Sequence, residues 1–504
     1  MEGGSMSQQV HKRKKKDTVR KTIQIVSIFN ALFLFITFFL LLFNIIKMNV
    51  IPNKYMIYIW IFTGVVLLFL ALLLIPKIRK EIKIVICILS LCIGAVSTFG
   101  LFKIWDTADF FKKISASNYE VERYYLLVLK DSKYEKGEDI KEEIVGVYPS
   151  EADTYNKAMK KLEELNNKKS KEYEDLLKLS DDLLNKKMNV VLLSDAHKDA
   201  LEENDPKFVE LTKIIETIDV KSEVKNLIKE AKVTQEAFNI YISGIDTYGP
   251  IATRSRSDVN IIMTVHPKTN QIILTSIPRD YYVQLHGTTG LKDKLTHAGV
   301  HGINMSIQTI EDLLDIDINY YVRVNFNTLI DLVDVVGGVT IDSDIAFIPW
   351  TDTSCPIKKG ENKLNGKCAL AFSRERHAYA SGDRHRGQNQ QQVITKIIEK
   401  MTSSKTMISK YSDILNTLEN SFQTNMATED IYALVKMQLD KMPSWSIHNV
   451  NLDGTGSMSY TYSYPNQKLS VMLPIQDTVT NAKKVIEGIQ AGKTFAELTT
   501  TSPS

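Results

Sequence analysis

Phe238-Asn-Ile-Tyr-Ile-Ser-Gly-Ile-Asp-Thr-Tyr-Gly-Pro-Ile-Ala-Thr-Arg-Ser-Arg-Ser-Asp-Val-Asn-Ile-Ile-Met-Thr-Val-His266 is the stretch on which the fold turns. Its two ends, Phe238–Ser243 and Val259–His266, are β-branched and aromatic and predict strands; the Gly/Pro/Ser segment between them predicts a loop. Working outward, strands are predicted at Gln271–Ile277, Tyr320–Asn325 and Val339–Ile341, and helices at His301–Leu314, Phe326–Val336 and Asn365–Phe372. Strands alternating with helices predict a sheet covered on both faces, an α/β/α domain. Helices are expected again at Arg386–Met401 and Thr428–Asp440, then a Gly/Ser/Tyr-rich stretch, Asp453–Tyr464. A terminal helix is expected at Asp477–Glu487 with Gly488 as a weak point beyond it, and the last dozen residues have little to bury and are expected to fray.

Upstream lies a smaller α/β domain. Tyr124–Leu129, Ile144–Tyr148 and Asn189–Ser194 read as strands, Ala152–Leu184 as a Lys/Glu-rich helical stretch and Phe208–Ile218 as a short helix. No cluster there carries chemistry, and its expected role is scaffold, spacer or partner surface.

The N-terminus is different in kind. Ile23–Ile46, Tyr55–Ile75 and Ile84–Ile104 are apolar and long enough to cross roughly 30 Å of hydrocarbon, and read as three transmembrane helices. Basic residues precede the first span and fill the link holding Lys77, Arg79, Lys80 and Lys83, whereas the link Asn49–Asn53 has few, so the positive-inside bias places both basic segments in the cytoplasm and everything after Ile104 outside. A cleaved leader is not expected, because two further spans follow the first. The expected division is 1–22 cytoplasmic, 23–104 transmembrane, 105–235 accessory domain with a juxtamembrane connector at Asp106–Tyr119, 236–495 catalytic domain and 496–504 a flexible C-terminus.

A net charge of +3 says little once the basic flank is set aside, and that flank argues against nucleic-acid binding because anionic lipid explains it. Cys87 and Cys92 read as packing residues within the third span. Cys355 and Cys368 flank a Pro/Lys/Gly/Asn loop, and a disulfide closing it is expected, the alternative being two buried thiols. Zinc is not expected, since no companion Cys or His pair has suitable spacing.

Three segments concentrate the polar chemistry. Arg254 and Arg256 alternate by two, so extended backbone would turn both toward one cleft, with Asp258 on the same side as counter-ion or metal ligand. In Ser276-Ile-Pro-Arg-Asp280 the proline stiffens the strand exit that carries Arg279; an ordinary Arg279–Asp280 surface pair is the plain alternative. The third is Arg374-Glu-Arg376 followed by Gly382-Asp-Arg-His-Arg-Gly-Gln-Asn-Gln-Gln391, where a helix would align Asp383, Arg386 and Gln390 on one face near an anion-favouring N-terminus. Guanidinium groups are permanently charged forks that suit phosphate, and carboxylates among them suit Mg²⁺ shared with a phosphorylated substrate.

These segments, together with Gly-Ile-Asp246 and Lys294-Leu-Thr-His-Ala298, resemble the LytR-CpsA-Psr (LCP) family, and within it the streptococcal-type capsule-biosynthesis members with three spans and an accessory domain. The resemblance covers essentially the whole chain. It implies an α/β/α domain with a central mixed sheet, a deep pocket for a polyprenyl tail, and a Mg²⁺-dependent (or Mn²⁺-dependent) transfer of capsular polysaccharide from undecaprenyl pyrophosphate to peptidoglycan. Peptidoglycan, the lipid-linked glycan and other capsule-assembly membrane proteins are the implied partners. Carried over by position, Asp246 and Asp258 lie near the metal, and Arg256, Arg279, Arg374, Arg376 and Arg386 contact pyrophosphate, with Arg254, Asp383 and Gln390 as further site residues. Many relatives have arginine where this chain has Asn389, so one phosphate contact is expected either to be absent or to be supplied by Arg384. Two other readings share the same residues: a phosphatase of the lipid pyrophosphate, and a noncatalytic lipid or polysaccharide binder that regulates export.

Overall fold

The computed structural model describes residues 3–115, 119–149, 153–166, 169–205, 207–245, 250–380, 382–403, 413–414 and 422–499. Two compact units emerge, one formed by Met1–Lys112 with Ala427–Pro443, the other by Lys113–Met426 with Ser444–Ser504.

In the first unit, α1 (Gly3–Met48), α2 (Asn53–Leu74) and α3 (Lys80–Ser115) include three segments long and apolar enough to cross a membrane, Thr18–Met48, Asn53–Leu74 and Lys80–Lys113. Leu34, Phe38, Val66 and Leu73 form the seam between them, while most other apolar side chains face outward. The expected connector at Asp106–Tyr119 is instead largely a continuation of α3, and Cys92 is exposed rather than packed. The helix Thr428–Lys441 belongs to this unit: Tyr432 meets Phe111 edge-on at 5.1 Å, and Lys436 donates to Asn49 Oδ1 at 2.7 Å.

The second unit holds two sheets. The smaller has β1 (Tyr119–Leu129), β2 (Val145–Val147), β3 (Ser170–Glu172), β4 (Val190–Ser194) and β5 (Thr212–Glu223) in the order β3-β2-β4-β1-β5. Two expectations fail here. The single helical stretch Ala152–Leu184 is broken into α4 (Asp153–Asn166) and α5 (Leu176–Leu184), with β3 between them, because Asp175 caps the second helix by accepting from the N–H groups of Leu177 and Lys178. Phe208–Ile218 is not one helix; α7 (Lys207–Leu211), which follows α6 (Asp195–Asn204), gives way to β5, whose Thr212, Ile214, Ile215, Thr217, Ile218 and Val220 prefer a pleated surface.

The larger sheet has β6 (Phe238–Ile245), β7 (Ser257–His266), β8 (Gln271–Ser276), β11 (Tyr320–Val324), β14 (Phe422–Thr424) and β15 (Ser446–Asn451) in the order β14-β11-β6-β7-β8-β15. It is mixed: β11 runs parallel to β6 and β15 to β8, while β7 is antiparallel to both of its neighbours. On one face Tyr241, Ile262, Ile273 and Tyr321 pack against α9 (Ile303–Leu314) and the helix Gln476–Gln490. On the other lie α10 (Phe326–Val335), α11 (Gly366–Arg374) and α12 (Asp383–Thr402), whose core includes Val333, Phe372, Val393 and Ile397 and the strands Val339–Ser343 and Gly360–Leu364. Gln391 ties α12 to the sheet by donating to the carbonyls of Leu274 and Val450.

Of the last dozen residues, expected to fray, those up to Thr499 are ordered, and residues 500–504 lie outside the described residues. Gly488 lies inside the helix, where a Cβ would come within 2.5 Å of Leu498 Cδ2, and residues Phe495–Thr499 form a further turn that buries Leu498 on the core. Cys355 and Cys368 are joined as a disulfide.

Candidate functional site

Strand directions place three charged segments at one end of the sheet. β6 ends there, β7 begins there, β8 ends there before Arg279, and β11 ends there before Phe326. The first turn of α12 is fitted to the same end: a Cβ on Gly387 would lie 3.0 Å from Ser276 Oγ.

Asp258 is the hub. Its Oδ2 accepts from Arg279 Nη1 at 2.7 Å and its Oδ1 from Thr296 Oγ1 at 3.2 Å, while Thr296 N donates to Arg279 O at 2.8 Å. Arg279 Nε lies 3.7 Å from Asp280 Oδ2, Lys294 Nζ lies 3.4 Å from Asp280 Oδ1, and Arg386 Nη2 lies 2.8 Å from Asp383 Oδ1. Burial favours the neutral form of Asp258, but Arg279, Arg386 and Arg256 outweigh it and hold the carboxyl well below the usual range. Asp383 goes the other way: burial raises it, and the nearby Asp280 and Asp258 add to that against the pull of Arg386 and Arg279. Burial lowers Arg386, the carboxylates partly restoring it.

Lys294 and Thr296 are held from behind. His297 Nδ1 meets Asp293 Oδ1 at 2.6 Å, both fully buried, and Asp293 Oδ2 accepts from Ser463 N and Oγ at 2.9 and 2.5 Å. The sequence singled out this motif without giving Lys294 or Thr296 a role; the proximity of a hydroxyl and an ammonium to Asp258 and Asp280 is a tertiary fact.

Arg254 and Arg256 do not turn into one cleft as their alternation suggests. Arg254 reaches the accessory domain, donating from Nε to Glu120 Oε2 at 3.2 Å, from Nη1 to Glu122 Oε2 at 3.0 Å and from Nη2 to Ser222 Oγ at 3.1 Å. Arg256 stays within electrostatic reach of Asp258, and its Nη2 lies 3.6 Å from Asp199 Oδ2 of α6. Burial pushes Asp199 up to about 6, with Arg256 opposing and Asp195 reinforcing. Nothing in the sequence pointed to Asp199, a residue of another domain.

The remaining expected site residues are distributed around this group. Arg374 stacks over Phe326, 4.2 Å from the ring centroid, and Arg376 Nε donates to His377 Nε2 at 3.4 Å. Arg384 is largely exposed and pairs with Asp453 at 2.6 Å. Asn389 is buried, donating to Phe372 O, and Gln390 is half-buried beside it. Asp246 lies outside the described residues.

A divalent cation can be matched to what is here. Asp280 Oδ1 and Asp383 Oδ1 are buried without an aligned hydrogen-bond donor, despite their neighbouring cationic nitrogens. Among the described residues no three His, Cys, Asp or Glu side chains are grouped around one metal position. Mg²⁺ commonly takes only one or two carboxylates and completes its shell with water and phosphate oxygens, so Asp258 with Asp280 or Asp383 suits it.

On the face toward α10 and α12, Met263 of central β7 and Val322 and Val324 of β11 stay partly exposed, as do Leu329, Ile330, Ile394 and Ile398 on the two helices. A central strand usually buries such a residue, so this face of the sheet is an apolar layer that solvent partly reaches.

The chain is 34% identical over 221 residues to the polyisoprenyl-teichoic acid–peptidoglycan teichoic acid transferase TagU of Bacillus licheniformis, covering 44% of this chain and 70% of that protein. With the protein of the same name from Enterococcus faecalis it is 32% identical over 250 residues, 49% of this chain and 80% of the relative. The crystal structure of TagV from B. subtilis aligns with a TM-score of 0.44 and 30% identity, covering 52% of this chain and 99% of that one. The profile of the LytR_cpsA_psr family matches residues 208–478, which contain all three charged segments, and the chain belongs to that family.

Proposed function

We propose that this protein transfers a glycopolymer, capsular polysaccharide, from a polyprenyl pyrophosphate carrier to peptidoglycan. The observation that carries the reading is the convergence of Arg256, Arg279 and Arg386 around Asp258 at one sheet end. The names of the relatives support the coarser statement of glycopolymer transfer from a polyisoprenyl carrier to peptidoglycan. The three apolar helices support a membrane anchor, and the charge bias of their links supports a multi-pass arrangement with both later domains outside the cell.

In this reading the arginines bind and orient the diphosphate and stabilise charge on its nonbridging oxygens, while the apolar layer beside α10 and α12 takes the start of the lipid tail. Asp258 with Asp280 would hold Mg²⁺, which when bound would further neutralise phosphate charge. A hydroxyl of the acceptor sugar attacks the phosphorus nearer the glycan; the new O–P bond forms as the bond to polyprenyl phosphate breaks. The hydroxyl proton passes to a carboxylate. Among the described carboxylates around Asp258, Asp383 suits this task, since burial and its acidic neighbours make it more basic, whereas Asp258 is held ionised.

The full-length protein in nanodiscs, given glycosylated polyprenyl pyrophosphate, peptidoglycan and Mg²⁺, should form a covalent glycan–peptidoglycan adduct that Arg279→Ala abolishes. Release of polyprenyl phosphate and glycan phosphate with no adduct would favour the phosphatase, and binding without any turnover the regulator.

A further inference from the structure

Between the strands Val339–Ser343 and Gly360–Leu364 a short hairpin stands out from the domain, closed by paired hydrogen bonds between Phe347 and Ile357. The Cys355–Cys368 disulfide and a 2.8 Å Lys367–Asp352 ion pair brace it against α11. It nevertheless presents apolar groups to solvent: Ile348 is 63% exposed and Trp350 52%. Two bulky apolar side chains are thus held at fixed positions on a doubly braced hairpin, in contact with solvent.

Its position narrows the ligand. Trp350 N donates to Glu375 Oε2 at 3.0 Å, and the buried Glu375 also accepts from the N–H groups of His377 and Ala378 at 2.6 and 2.9 Å. The Trp350 ring meets His377 edge to face at 5.2 Å and 86°, and His377 Nε2 accepts from Arg376. Phe347 packs on Tyr379, which stacks on His385 at 3.5 Å between Arg384 and Arg386. The tryptophan is thus fixed to the segment that carries Arg374 and Arg376, which the family resemblance matches to pyrophosphate contacts, and on the transferase reading the group covalently nearest the transferred phosphate is a sugar. A pyranose ring offers a face of polarised C–H bonds to the negative face of an indole, which suits a flat exposed tryptophan beside a guanidinium.

We propose that Trp350, supported by His377 and adjoining Arg376, is the platform for a sugar ring of the donor glycan. This rests on the transferase reading for the identity of the donor, not for the existence of the platform. The test uses the full-length protein in nanodiscs and three probes: polyprenyl pyrophosphate bearing a disaccharide, the same lipid without sugar, and the free disaccharide. Trp350→Ala should weaken the glycosylated lipid about tenfold, roughly 1.4 kcal/mol, and leave the bare lipid within about twofold; Trp350→Phe should recover most of the loss, and His377→Ala should give a smaller loss with the same selectivity. Equal losses for both lipids would mean a bilayer contact or a structural role and would overturn the proposal, as would an unchanged affinity for the glycosylated lipid. If the unsubstituted protein binds neither lipid, the transferase reading falls, and the platform is judged on the free disaccharide: saturation transfer to its ring protons that disappears in Trp350→Ala upholds it, and no transfer refutes it.

Discussion

Replacing Glu120 with alanine should destabilise the second unit more than any surface change, although Glu120 belongs to the accessory domain and touches no predicted substrate. Its side chain is 3% exposed and is shared by three donors: Arg323, Arg254 at 3.2 Å and the backbone N–H of Ile303 at 3.0 Å. Arg254 would keep Glu122 and Ser222, so the damage falls on Arg323, whose side chain is 2% exposed and among the described residues would retain the neutral Gln423 at 3.4 Å. Stranding one buried guanidinium costs about 3–5 kcal/mol, and the unpaired first-turn N–H of α9 adds about 1–3 kcal/mol. Against a typical domain stability of about 5–15 kcal/mol that is a large fraction. Burial works against the charge on Glu120, but Arg323 and Arg254 prevail and depress its pKa, so its contribution is complete above the ordinary carboxylate range and disappears as pH falls through the depressed folded value. Guanidinium unfolding of the full-length protein in detergent, followed through Trp350 and Trp445, should show the loss. The double variant Glu120→Ala/Arg323→Met should recover much of it, because no buried charge is then unpaired. A loss below about 1 kcal/mol, or a double variant no better than the single, would refute the account.

Arg279→Ala removes the partner of Asp258 and should cost about 2–5 kcal/mol in donor binding, read by titration with the lipid pyrophosphate. Asp199, raised to about 6, is neutral at low pH and charged above, so it costs stability as pH rises from about 4 to 6, by roughly 3 kcal/mol in all; Asp199→Asn should raise the unfolding midpoint at pH 7 but not at pH 4. The same substitution should flatten the pH dependence of diphosphate affinity, which in the unsubstituted protein should strengthen below pH 6 as Arg256 loses its competing anion. Joint replacement of Cys355 and Cys368 by serine should lower stability by about 2–4 kcal/mol and loosen the Trp350 hairpin, visible as faster proteolysis near residue 350.

Much of the larger domain was readable because its strands are continuous apolar runs bounded by turn residues: Phe238–Ile245 and Gln271–Ser276 are buried at every position. Such runs carry their own evidence. Thr212–Glu223 did not, because a short helical turn immediately precedes it and its early apolar spacing imitates a helix; the pairing partner β1 that settles the matter lies far upstream. The site divides along the same line. Arg279, Arg386 and Asp258 were legible as charged residues clustered at strand and helix ends, but the destinations of Arg254 and Arg256 depend on Glu120, Glu122 and Asp199, acids in another domain that no local pattern connects to them.

That division bears on how the site works. Arg256, Arg279, Arg386 and Lys294 stand among Asp199, Asp258, Asp280 and Asp383 in surroundings that are mostly buried, so each guanidinium is already oriented by an internal anion before any phosphate arrives. On the transferase reading an incoming diphosphate would not have to order long flexible side chains; it would have to outcompete carboxylates, and Asp199, raised by burial, would be the easiest to displace because it is the less committed to its charge. Asp258, held ionised by Arg279, stays in place. On that reading the accessory domain would enter the chemistry through Asp199 as a removable counter-ion, while it enters the fold through Glu120 as a fixed one, and its deletion should disturb the site and not merely remove a spacer.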